Sequence, residues 1–79
     1  MILLRELMEV IAYALDVEVV DVDSSMESLE EWDSLGHLSI LTAIDKKLEG
    51  RASTLSGLAS ATSVASIISV LEENSLIEK

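Results

Sequence analysis

A chain of 79 residues without a single cysteine must be held together by apolar packing, because neither a disulfide nor a thiolate metal site can staple it. One histidine likewise argues against a histidine-based metal centre. The material for a core is present: 49% of the residues are apolar, almost all of them Leu, Ile, Val, Ala and Met. With one Trp, one Tyr and no Phe, that palette suits packed helices. The length allows one domain at most, residues 1–79.

The clearest periodicity comes first. Leu4, Leu7, Met8, Ile11 and Leu15 follow i, i+3, i+4, i+7, i+11, one stripe of a helix with 3.6 residues per turn. The spacing predicts a helix over residues 2–15. From Asp16 to Asp33 the stripe is lost. Asp16, Asp21, Asp23, Ser24, Ser25 and Ser28 favour turns, since short polar side chains compete for backbone groups. Val17-Glu18-Val19-Val20 has no evident strand partner, so the expectation is an ordered loop held down by Val17, Val19, Met26 and Leu29. Asp21-x-Asp23-x-Ser25 begins like a calcium loop, but Met26 stands where that loop needs glycine and Trp32 where it needs a bidentate glutamate.

A second helix is expected over residues 34–48, capped by Asp33 and stopped by Gly50, with Lys46 and Lys47 complementing the dipole of its last turn. A short third helix over 54–59 would be capped by Ser53 or Thr54 and weakened by Gly57. A fourth, over 63–73, repeats the helical spacing with Val64, Ile67, Ile68 and Leu71 behind Thr62 or Ser63, and ends near Asn74-Ser75. Such stripes are buried against one another, which predicts an all-α fold: a four-helix bundle with a long first connection.

Fifteen acids against five Lys and Arg leave a net charge of −10. Phosphate backbones and anionic headgroups are repelled by such a surface, so nucleic acid and membrane are poor partners and a basic patch on another protein is the natural complement. Met1-Ile2-Leu3-Leu4-Arg5-Glu6 reaches charge too early for a secretory signal, and no apolar run spans a membrane; a cytoplasmic monomer is expected.

The second helix has one apolar side too many. At 100° per residue, Ile40, Leu41, Ile44 and Leu48 share the core side, while Leu35, Leu38 and Thr42 fall elsewhere. Leu35 and Leu38 either pack under the preceding loop or form a contact face for another protein. Ser34 lies between the two sides and also has two readings. It is a helix cap, or it is a hydroxyl offered at the positive end of a helix, where a phosphate is tolerated.

With Glu31-Trp32-Asp33-Ser34-Leu35-Gly36-His37-Leu38, placed after one helix and a long acidic loop, the whole chain resembles the acyl carrier proteins. The resemblance implies a non-enzymatic carrier. A phosphopantetheinyl transferase would move the arm of coenzyme A onto Ser34, with Asp33 the acid before it. The arm's thiol would hold acyl groups as thioesters for acyl-loading and acyl-processing enzymes with basic patches, in fatty-acid, polyketide or related synthesis. It also implies that Leu35, Leu38, Asp45 and Glu49 face those partners, and that the core side of helix two can open for an acyl chain. Three features depart from the family: Glu31 replaces its usual glycine, Trp32 follows, and Lys46 and Lys47 thin its acidic face. Trp32 and His37 stand close enough to Ser34 to touch the arm, or else to fill space beside the core. Ser34, His37 and Asp33 do not make a catalytic triad, since neighbours on one helical turn cannot form the required line of hydrogen bonds. The competing reading is a small helical adaptor without a prosthetic group.

Overall fold

The apolar stripe of the first segment folds as expected, with one change at its start. In the computed structural model, which describes residues 1–52, 55 and 57–78, helix α1 spans Leu4–Leu15. It buries Leu7, Ile11, Ala12 and Leu15. Ile2–Leu3, expected to open this helix, is instead a short strand, β1. It pairs in parallel with β2, Ile77–Glu78, in the register Ile2 with Ile77 and Leu3 with Glu78. The Ile2 N–H also donates to the Leu76 carbonyl at 2.9 Å. The Glu6 carboxylate accepts the Leu3 N–H at 3.0 Å and so joins strand to helix.

Helix α2 spans Ser34–Lys47 and α3 spans Val64–Glu73. Asp33 caps the first, accepting from the Gly36 N–H at 2.8 Å. Ser63 caps the second, accepting from the Ser66 N–H at 3.0 Å. All three helices end alike. Val17, Gly50 and Leu76 send their N–H groups back to the carbonyls of Ala12, Asp45 and Leu71, at 3.0, 2.9 and 2.9 Å. In each case the reversal needs left-handed backbone, found at Asp16, Glu49 and Ser75, with Gly50 following Glu49 at φ 90°.

The four-helix bundle is not what forms. Among the described residues, three α-helices and a two-stranded parallel sheet make up the fold, which is mostly helical but mixed. Where a third of four helices was expected over 54–59, the described residues show a 3₁₀ turn at Leu58–Ser60. The expected caps Ser53 and Thr54 lie outside the described residues. Gly57 disfavours a longer helix there, and a 3₁₀ turn is the usual short substitute. The sheet escaped the sequence reading because two-residue strands joining opposite ends of the chain leave no local periodicity.

The loop between α1 and α2 is ordered by its own side chains, as expected. Asp21 accepts from the Asp23 N–H at 2.9 Å, and Ser28 accepts from the Ser25 N–H at 2.9 Å. Backbone bonds then pin it to the approach to α3: Met26 N–H to the Thr62 carbonyl at 2.9 Å and Val64 N–H to the Ser24 carbonyl at 3.0 Å. One anchor is corrected. Val17, Met26 and Leu29 pack against the core, but Val19 is 76% exposed and its neighbour Val20 is buried instead. Without strand alternation, nothing local says which valine of the pair turns inward.

Among the described residues, no helix is long and apolar enough to cross a membrane.

Candidate functional site

Two parallel requirements act on α2, and its sequence divides them by side. Ile40, Ile44 and Leu48 are buried and Leu41 is half-buried, so the core stripe is the expected one. Leu35 and Leu38 are left out of the core, 74% and 59% exposed. They do not pack under the preceding loop. With Val10, Tyr13 and Ala14 of α1 they line an open groove of about 1080 Å³ between the two helices. Lys46, Lys47, Glu6 and Glu9 line the same groove.

Ser34 is the first residue of α2 and is exposed. The capping task belongs to Asp33, whose carboxylate takes the Gly36 N–H, and whose carbonyl takes the His37 N–H at 2.8 Å. Among the described residues no hydrogen bond engages the Ser34 hydroxyl. The serine is therefore not a cap, and it stands exposed at the positive end of α2. All eight acids between Asp16 and Asp33 are exposed, and that loop contains no Lys or Arg.

The other partner-facing residues implied by the resemblance are not gathered there. Asp45 is half-buried and lines a separate cleft of about 300 Å³ with Leu41, Thr42, Ala52, Leu55 and Leu58. Glu49 is exposed beyond the end of α2, in the left-handed residue of its terminus. Thr42 alone lines both the groove and the cleft, and its hydroxyl donates to the Leu38 carbonyl at 2.9 Å.

Trp32 and His37 are turned inward, the space-filling one of their two readings. Trp32 is 1% exposed and His37 7%. The rings stack with 18° between their planes. The indole Nε1–H donates to His37 Nδ1 at 3.1 Å, and His37 Nε2 lies 3.1 Å from the Leu58 carbonyl. An indole can only donate and a carbonyl can only accept, so the imidazole carries its hydrogen on Nε2. Every polar atom of this buried pair is thereby satisfied.

The loop reaches the helix start at very close range. A Cβ added at Gly36 would collide with the Glu31 carbonyl oxygen and lie 2.9 Å from Leu15 Cδ2. Only glycine lets Glu31-Trp32 cross the first turn of α2 at that distance.

No family model, curated protein or solved structure matches the chain.

Proposed function

We propose that this protein is an acyl carrier whose Ser34 receives a phosphopantetheine arm and presents thioester-bound acyl groups to partner enzymes. The observation that carries the reading is an exposed serine hydroxyl, released from capping by Asp33, beside leucines that the core does not use. In the loading step the Ser34 oxygen attacks the phosphate of coenzyme A next to the pantetheine. The diphosphate P–O bond breaks, adenosine 3′,5′-bisphosphate leaves, and the serine proton passes to a base of the transferase. Once attached, the arm supplies the thiol on which acyl groups are carried.

The residues around Ser34 fit such a group. A phosphate on that oxygen would lie at the first turn of α2, where the N–H groups of Ser34 and Leu35 have no hydrogen-bond partner among the described residues. Asp33 holds the turn closed through Gly36. Leu35 and Leu38 offer apolar footing to a visiting enzyme, and the exposed acids of the preceding loop draw a basic one and speed the encounter. The loading enzyme is then a phosphopantetheinyl transferase, and the users are enzymes of fatty-acid, polyketide or related synthesis.

Incubation with coenzyme A and a broad-specificity transferase, followed by intact mass, tests the reading. One added phosphopantetheine is expected on the parent chain and none on Ser34→Ala. Because the hydroxyl caps nothing, that variant should melt within about 0.5 kcal/mol of the parent. No addition, where a control carrier is modified, would sink the proposal. It would leave the adaptor reading, which the exposed Leu35, Leu38 and Tyr13 beside the groove also support.

Leu38→Glu separates contact from folding. Stability should change by less than about 0.5 kcal/mol, since this leucine is mostly exposed. Loading should slow by about tenfold if Leu38 is a point of contact with the transferase, the effect of losing over 1 kcal/mol at an interface. An unchanged rate would remove Leu38 from the partner face.

A further inference from the structure

We infer that the Trp32–His37 link of the hydrogen-bonded relay Trp32–His37–Leu58 is a positioning device for Ser34, holding the segment that presents the hydroxyl against the first turn of α2. The inference rests on the carrier reading and extends it to two residues that touch neither arm nor partner.

The chain path explains how the relay acts. Trp32 precedes Asp33, the cap, which precedes Ser34. The loop approaching Ser34 is fixed from two directions. On one side Gly36 admits the Glu31 carbonyl into contact with the helix start. On the other the indole is buried and fastened by its Nε1–H to His37, one turn into α2. His37 is fastened in turn to the Leu58 carbonyl in the 3₁₀ turn, 21 residues away in sequence. A swing of the 31–33 segment therefore breaks a buried hydrogen bond, and the donor and acceptor left behind are shut away from water. Packing alone would not impose this. A phenyl ring fills a similar space without directional demand, whereas an indole N–H aimed at an imidazole nitrogen fixes rotation as well as depth.

The two links of the relay can be cut separately. Trp32→Phe keeps an aromatic ring and deletes the donor. His37→Gln places its amide nitrogen near the Nε2 position and keeps the tie to Leu58 while losing the acceptor for Trp32. His37→Asn does the reverse: its amide oxygen near the Nδ1 position still accepts from the indole, and the tie to Leu58 is lost. All three are compared with the parent chain as substrates of the transferase with coenzyme A, well below their melting temperatures and with helicity checked by circular dichroism.

The relay predicts that Trp32→Phe and His37→Gln lower kcat/KM for the protein substrate by about tenfold, short of the hundredfold that a 1 Å misplacement can cause. The KM for coenzyme A should not move. His37→Asn should stay within about threefold of the parent, because the link nearest Ser34 survives. The single tryptophan gives one indole N–H resonance, which should shift in His37→Gln and stay near its parent position in His37→Asn. A merely structural role predicts lower melting temperatures with equal loading rates in all folded variants, and that result overturns the inference while leaving the carrier intact. Failure of the parent chain to be loaded overturns both.

Discussion

Trp32→Ala is expected to lower the melting temperature by more than about 16 °C, read as the loss of helical circular dichroism at 222 nm. Two losses combine in that figure. Truncating a fully buried tryptophan typically costs about 3–5 kcal/mol through lost transfer energy and the cavity left behind. The His37 Nδ1 acceptor then loses its donor inside the core, for about 1–3 kcal/mol more where water cannot replace it. A domain of this size has about 4–12 kcal/mol in total, so the variant stands at the edge of unfolding at room temperature. Trp32→Phe should recover most of the packing. A melting temperature for Trp32→Ala within a few degrees of the parent would mean that the indole is not the anchor described here.

Gly36→Ala is expected to destabilise the protein, against the usual direction for that exchange. In an ordinary helix position alanine is better than glycine by about 0.5–1 kcal/mol. Here the new methyl meets two neighbours of different stiffness. The Leu15 methyl can rotate aside. The Glu31 carbonyl is backbone and moves only if the segment leading to Ser34 moves with it. Overpacking of this kind costs about 1–3 kcal/mol, which exceeds the propensity gain. Melting should fall by several degrees, with amide shifts concentrated at Leu15 and across residues 31–34 in a ¹⁵N spectrum. A melting temperature above the parent's would refute the close crossing. Loading of Ser34 should slow as well, because this substitution displaces the same segment that the indole holds.

How much of this was legible beforehand depends on whether the cause is local. The stripes of α1 and α3, the caps Asp33 and Ser63, and the turn at Asp21–Ser24 all rest on residues within a few positions of one another, and each forms as the spacing requires. The divided faces of α2 were also readable, since Leu35 and Leu38 cannot share a side with Ile40 and Ile44. What failed was non-local or marginal. The β1–β2 pair joins residues at opposite ends of the sequence, and the third helix rested on a segment of less than two turns with Gly57 inside it. The inward turn of His37, one of its two readings, also has a signal in the spacing. Residues 37, 40, 41, 44 and 48 repeat the same i, i+3, i+4, i+7, i+11 template as the stripe of α1, so the histidine heads the core side of α2. A polar ring can hold that position because Trp32 and Leu58 satisfy both of its nitrogens, and those partners are not local to it in the spacing.

The pairing of Ile2–Leu3 with Ile77–Glu78 also decides from which pole the chain can be tethered. Leu15, at the far end of α1, lies against Gly36, so the two strands sit about 18 Å, the length of a twelve-residue helix, from the serine. A linker, a surface anchor or a fluorescent fusion leading away from Ile2 or from Glu78 departs from the pole opposite Ser34. Ser34 is thereby kept away from the point of attachment.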